Sequence, residues 1–415
     1  MLWKSLVVLA MAAMIVISAT IVSGSFNTGG EWGGITRPYR FDIVRWEFEN
    51  LLDKWIYRIE QVFSKDELSD EEKIELVEDF LSLDQEIKKL ITDLDRAKVN
   101  GNISSTEIAH RESKIESLIA ERNSLERQVE EIIECQISGI LADEGLSSTL
   151  QLGGVVELLF PPVDFAFDNR LNVLIVSPRD HIDSIDTTLL RPDMTLEEKI
   201  DVETKVEDTG YSALVEQVGA VATYPSTVPS SSSVEYLLSK IAHEWVHHYL
   251  FFRPLGQKYW KNYDMTTINE TVANVAGRDI GSLTYQRYYA EEAIEGCQQT
   301  EDTSAPAFDF NKEMRETRLT VDEFLAQGKI DKAEDYMRER RQFLEDNGYY
   351  IRKLNQAYFA FYGTYSDMPS SVNPIGGHVK ELREQSASPG DFIRTASQIT
   401  SYDDLLTLLN GQSLE

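Results

Sequence analysis

The first pattern along the chain is an unbroken apolar run. From Leu6 to Val22 there is no charged residue, and only Ser18 and Thr20 interrupt the hydrophobic ones. That length lies at the short end of a membrane span and beyond the usual core of a signal peptide. Lys4 flanks one side, while Glu31 and Arg37 are the first charges on the other. Excess positive charge stays cytoplasmic, so a single-pass cell-membrane segment over 1–24 is expected, with the rest of the chain outside. The alternative is cleavage after the weak small-residue exit Val22-Ser23-Gly24, which would release a secreted protein. No lipobox-like cysteine follows.

A Gly-rich link, "NTGGEWGG", leads into helical periodicity from about residue 41 to 140. Leu76, Phe80, Leu83, Ile87, Leu90, Leu94 and Ala97 alternate spacings of four and three, a heptad seam. Ser69 with Glu72 forms a capping box before it, and Ser104 with Glu107 opens the next helix. The second seam runs through Ile108, Ile115, Leu118, Leu125, Val129 and Ile132, with Asn100-Gly101 as the turn between the two. A coiled-coil-like helical hairpin over 25–145 is therefore expected, acting as a spacer or self-association arm. Near Gly153 the pattern changes. "LNVLIVSP" (Leu171–Pro178) reads as a buried strand, and "VGAVATYPSTV" (Val218–Val228) as a second whose end Pro225 turns toward an edge. The Ser-rich loop Ser230–Ser233 opens another helix, and beyond Phe308 the chain is again mostly helical. Helices, then strands, then helices imply α+β, with a central region at 146–300 and a helical C-terminal lobe at 301–415.

Composition narrows the partners. A chain of 415 residues that is 42% hydrophobic and 10% aromatic buries a sizeable core. A formal charge of −30 argues against a nucleic-acid partner and against docking on an anionic membrane through a basic patch. The two cysteines, Cys135 and Cys297, imply no disulfide framework and leave their own pairing open.

The candidate chemistry lies in "SKIAHEWVHHYL", Ser239–Leu250. On a helix, His243 and His247 stack about 5–6 Å apart, a spacing that suits two nitrogen ligands on one zinc ion. Glu244 lies beside that face, where a general base would reach an activated water; His-Glu-x-x-His is the zincin signature. Leu237, Leu238, Ile241, Ala242, Trp245 and Tyr249 form an apolar stripe, and the two histidines lie opposite it rather than within it. His248 projects about 100° from His247, so it is read as structural or supporting.

A catalytic zinc needs a third protein ligand. Downstream, "TTINETVANVAGRDIG" reads as a helix from which Glu270 projects, with Asn274 one turn later. Ala273 and Gly277 are small enough for close approach to the first helix. Thr267 and Glu270 also fit a capping box, a purely local role; the need of His243 and His247 for a partner favours the ligand. Asn269-Glu270-Thr271 and Asn102-Ile103-Ser104 are sequons, the former discounted beside a buried ligand.

These residues resemble the gluzincins, the thermolysin-like zinc peptidases, in which His-Glu-x-x-His is followed on the next helix by Asn-Glu-x-x-x-Asp. Here His243-Glu244-x-x-His247 is followed, after 22 residues, by Glu270 within Asn269-Glu270-Thr271-Val272-Ala273-Asn274. The resemblance implies a zincin-like core, Zn2+ held by His243, His247 and Glu270, Glu244 as base, and a peptide or protein substrate. Asn274 departs from the family's aspartate; it can still accept a hydrogen bond from a ligand histidine, without the carboxylate's charge. "LNQAYFAFYGTYSDMP" and "GDFIRTASQITSYDDLLTLL" are more broadly similar to a group of bacterial zinc aminopeptidases. That group's Gly-x-Met-Glu-Asn is absent, so exo- and endopeptidase both stay open. In this reading Gly219–Tyr224 pairs an extended peptide. Tyr358, Tyr362 and His378 are the candidate oxyanion donors. The competing class is a membrane-tethered helical scaffold or sensor with a structural or inactive zinc site.

Overall fold

The computed structural model describes residues 31–47, 50, 54, 68–99, 104–151, 155–231, 233–290 and 308–414. The apolar segment Leu6–Val22, the Asn100-Gly101 turn, Asn102 and Cys297 lie outside the described residues, and Cys135 is an exposed free thiol. Among the described residues, no helix is long and apolar enough to cross a membrane.

The Gly-rich link is shorter than its composition suggests. Its second half forms a helical turn, α1 (Gly33–Thr36), because Trp32 is buried and its indole donates to Thr209 Oγ1 at 3.1 Å. The two long helices are α2 (Asp70–Val99) and α3 (Ser105–Asp143). The capping box at Ser69 is complete, with reciprocal bonds to Glu72 of 2.7 and 3.2 Å. At Ser104 only half of it forms, since the Glu107 carboxylate pairs with Arg111 instead. The heptad seam buries Ile87, Leu94 and Ile115 at the far end of the hairpin. At the near end, Phe80, Val129, Ile133, Ile137 and Leu141 enter the main core of the molecule. The C-terminal half of α3 is apolar over more than the seam, so it serves as a wall of that core as well as an arm.

The strands form small sheets: β1 (Ser147–Gln151) with β2 (Val155–Leu159); β3 (Phe165–Phe167); and β4 (Asn172–Ser177) with β5 (Asp186–Leu190). Helix α4 (Leu196–Glu207) and strand β6 (Ser212–Gln217) follow, then β7 (Ser226–Val228). The predicted strand "LNVLIVSP" is β4, central in the antiparallel order β5-β4-β6. All six of its residues are buried because both faces are covered. Leu174 and Val176 meet α4 and Trp32, while Val173 and Ile175 meet Ala357 and Ala360. The second predicted strand, Val218–Val228, is not continuous: β6 has already ended, and only Ser226–Val228 pairs, in parallel with β3. Between them the chain folds on itself, with Val221 and Thr227 exchanging backbone bonds of 3.0 Å and Thr223 Oγ1 donating to the Pro225 carbonyl. Proline has no N–H for a ladder and the threonine finds a local partner, so an apolar run becomes a turn. Gly219–Tyr224 is therefore not the strand that peptide pairing requires.

The remaining helices are α5 (Val234–Phe251), α6 (Pro254–Gln257), α7 (Tyr263–Tyr288), α8 (Phe310–Ala326), α9 (Ile330–Asp346), α10 (Gln356–Tyr362), α11 (Ile375–Gln385), α12 (Pro389–Ala396) and α13 (Tyr402–Leu409). Together with the small sheets they make the fold α+β. The α8–α9 pair has its own core around Met314, Val321 and Met337. Helices α11 to α13 pack instead on α7, within the main core.

One buried cation ties the hairpin to the strands. Lys54 Nζ contacts Glu134 and the Phe165 carbonyl, bonds Asp164 at 2.8 Å and lies 3.7 Å from Glu130. Burial alone would lower the ammonium's pKa, but the three carboxylates raise it above the ordinary lysine value. Removing the cation strands several buried carboxylates, so Lys54→Met is expected to lose ~3–5 kcal/mol of unfolding free energy in urea titration; a loss under ~1 kcal/mol would show that the cage relaxes without it.

Candidate metal centre

Helix α5 starts where Ser233 accepts the Tyr236 N–H at 3.2 Å. Its stripe of Leu237, Leu238, Ile241, Ala242, Trp245 and Tyr249 enters the core as the periodicity requires. The opposite face is covered too, because α7 lies across it. Gly277 and Gly281 permit this: a Cβ at Gly277 would stand 2.8 Å from the Ser239 carbonyl oxygen and 2.9 Å from His243 Cα, and one at Gly281 would stand 2.5 Å from Ser239 Cα. The two helices meet backbone to backbone.

That approach brings the donors together. His243 Nε2 and His247 Nε2 are 3.0 Å apart, and Glu270 Oε2 lies 3.7 and 3.5 Å from them. Tetrahedral zinc with bonds of about 2.0–2.2 Å has ligand–ligand edges of about 3.3–3.6 Å; the donor set matches the ion in type, and its separations of 3.0 to 3.7 Å bracket those edges. Glu244 is set further back, with Oε1 4.0 Å from His243 Nε2. The capping role for Glu270 is excluded: α7 begins eight residues earlier, where Asn262 Oδ1 accepts the Met265 N–H, so Glu270 is in the helix interior.

Burial raises both carboxylates, and their neighbours separate them. Burial pushes Glu270 up, but the His247 cation and its hydrogen bond overcome this and hold the carboxyl at about 2. Glu244 is raised to about 7, by burial first and then by Glu270. Burial works against a charge on His247, yet Glu270 carries it to about 9; His243 falls well below the ordinary value through burial and the neighbouring charge. Titratable groups pushed in opposite directions thus stand side by side on α5 and α7.

The surrounding residues fix the rings. Asn269 Oδ1 accepts from His247 Nδ1 at 2.9 Å, a role readable in the sequence only from its place beside Glu270. Asn269 is also fully buried, so its sequon is inaccessible. Asn274 stands beside His243 and donates to Asp367 Oδ1 at 3.1 Å. His248 turns away from the pair, and its Nε2 meets the Thr223 carbonyl at 2.8 Å.

The donors open onto a cavity of about 580 Å³. Tyr259, Tyr263 and Tyr365, which the sequence did not single out, line it. Tyr259 donates to Glu270 Oε1. Tyr365 is held well above the ordinary phenol value by burial and then by the charges of Glu270 and Glu244. Tyr358, Tyr362 and His378 do not line this cavity. Tyr358 and Tyr362 stack on each other with ring centroids 4.5 Å apart, facing the adjoining chamber. Four residues apart on α10, they share one face, whereas Phe361 and Tyr365 border both the cleft and that chamber. His378, on α11, pairs its Nδ1 with the Tyr402 hydroxyl at 2.8 Å.

Comparison with known protein families, with curated proteins and with solved structures finds no match to this chain.

The close approach of α5 and α7 makes Gly277→Ala a test of the geometry. Its Cβ must push the helices apart, so zinc affinity is expected to fall roughly tenfold or more and unfolding free energy by ~1–3 kcal/mol, measured by chelator competition and denaturant titration. Unchanged affinity would show that the donors do not depend on this contact.

Proposed function

We propose that this chain is a zinc-dependent peptidase with a zincin-like core, tethered to the cell membrane by the Leu6–Val22 segment with its catalytic region on the outer side. The observation that carries the reading is the position of Glu270 Oε2, within 3.7 Å of both imidazole Nε2 atoms from a separate helix. A structural zinc site closes its coordination with four protein ligands. Here three donors open onto a cavity with a fourth group, Glu244, poised beside them, which favours catalysis over a scaffold.

His243, His247 and Glu270 would hold a zinc ion, which would supply Lewis acidity to acidify water and polarise a carbonyl. Glu244, set beside the donors, takes the proton of the attacking water and returns it to the leaving amine. The Tyr365 hydroxyl stays protonated and donates to the developing oxyanion. Tyr259 and Asn269 hold Glu270 and His247 in orientation.

The test separates metal binding from chemistry. Glu244→Gln is expected to retain one zinc per chain, by atomic absorption, while peptide hydrolysis falls ~10²-fold or more. Glu270→Ala is expected to lose the metal. Undiminished hydrolysis in the first variant removes Glu244 as base, and full zinc content in the second removes the third ligand.

A further inference from the structure

After α10 the chain bonds to α7 through Ser366 and Asp367. Ser366 Oγ meets Thr271 Oγ1 at 2.9 Å, and Asp367 takes Asn274 Nδ2 on Oδ1 (3.1 Å) and Arg278 on Oδ2 (2.5 Å). Lys380 of α11 donates to the Asp367 carbonyl at 2.7 Å. The chain is clamped from the other side as well, because a Cβ at Gly376 would stand 1.9 Å from the Ser366 carbonyl oxygen. Ser366 and Asp367 are both buried.

What this clamp serves is visible one step further in. His243 Nδ1 is buried without a regular hydrogen bond, and Asn274 is the polar side chain beside its ring. An asparagine amide has donors at one end and an acceptor at the other. With Nδ2 committed to Asp367, its carbonyl is the end left for an imidazole N–H. An imidazole that presents Nε2 to a metal carries its proton on Nδ1 and needs an acceptor there; His247 has Asn269, and beside His243 stands Asn274.

We propose that Asp367 is a positioning residue for His243: its carboxylate orients the Asn274 amide so that the amide carbonyl receives His243 Nδ1–H, leaving Nε2 without a proton toward His247 and Glu270. The carboxylate that Asn274 lacks is thus supplied from a distant segment through an interposed amide. Polarisation along such a chain strengthens the final bond. The inference rests on the metal reading only for why a bare Nε2 matters.

The experiment has a readout that needs no metal. In zinc-free protein with ¹⁵N-labelled histidines, His243 is expected as the Nδ1–H tautomer, and Asp367→Ala is expected to give a mixture. In the same variant zinc affinity by chelator competition is expected to drop roughly 10–100-fold. Adding Asn274→Asp to Asp367→Ala places a carboxylate directly against the ring, and should restore both the tautomer and most of the affinity; a merely structural anchor for Arg278 would not be rescued from position 274. A parent-like tautomer in Asp367→Ala, or no rescue by the second substitution, overturns the proposal. Should Asp367→Ala not fold, Asn274→Leu, which leaves the Asp367–Arg278 pair intact, must shift the tautomer in its place. If the parent protein binds no zinc, the metal reading fails while the tautomer still decides the relay.

Discussion

The site depends on one steric permission: two helices can touch at the backbone because α7 carries glycine at 277 and 281 where it crosses α5. Each helix is ordinary in itself, one amphipathic and one N-capped. Their separation fixes where Glu270 falls relative to His243 and His247. Any side chain between them would move the carboxylate outward by a large part of the ligand–ligand distance. The rest of the fold keeps that crossing closed: α3 and the α11–α13 group pack around α7, and the buried Lys54 cage fastens α3 to β3.

Closeness also creates the electrostatics. Two carboxylates and two imidazoles excluded from water cannot all take their solution charges. The arrangement resolves this with a charged Glu270 against His247, a neutral His243 and a Glu244 lifted to about 7. One residue type thus takes two different charge states in one place, through a displacement of a few ångströms.

The local parts of this design were legible in the sequence. The heptad seam, the buried strand β4, the cap at Ser233 and the stacking of His243 over His247 follow from periodicity within one element. So did the small face at Ala273 and Gly277. What escaped is set by contacts between distant segments. Asn269, Tyr259, Tyr365 and Asp367 acquire their places only when α7, the loop after α5 and the segment after α10 converge. Tyr358 and Tyr362 looked like equal candidates until the phase of α10 turned them into the neighbouring chamber. The 218–228 stretch has the composition of a strand, but its own hydroxyl and proline made a turn cheaper. Trp32 sat in a glycine-rich context that hid an anchor. Even the departure of Asn274 from the resembled pattern was visible, though not the carboxylate standing behind it.

X-ray absorption at the zinc edge of the purified protein tests the central claim most directly. The account predicts one zinc per chain, with two imidazole nitrogens at about 2.0–2.1 Å, oxygen donors at about 2.0–2.2 Å and no sulfur. A spectrum dominated by sulfur, or by more than two imidazoles, or a protein that takes up no zinc at all, would contradict it.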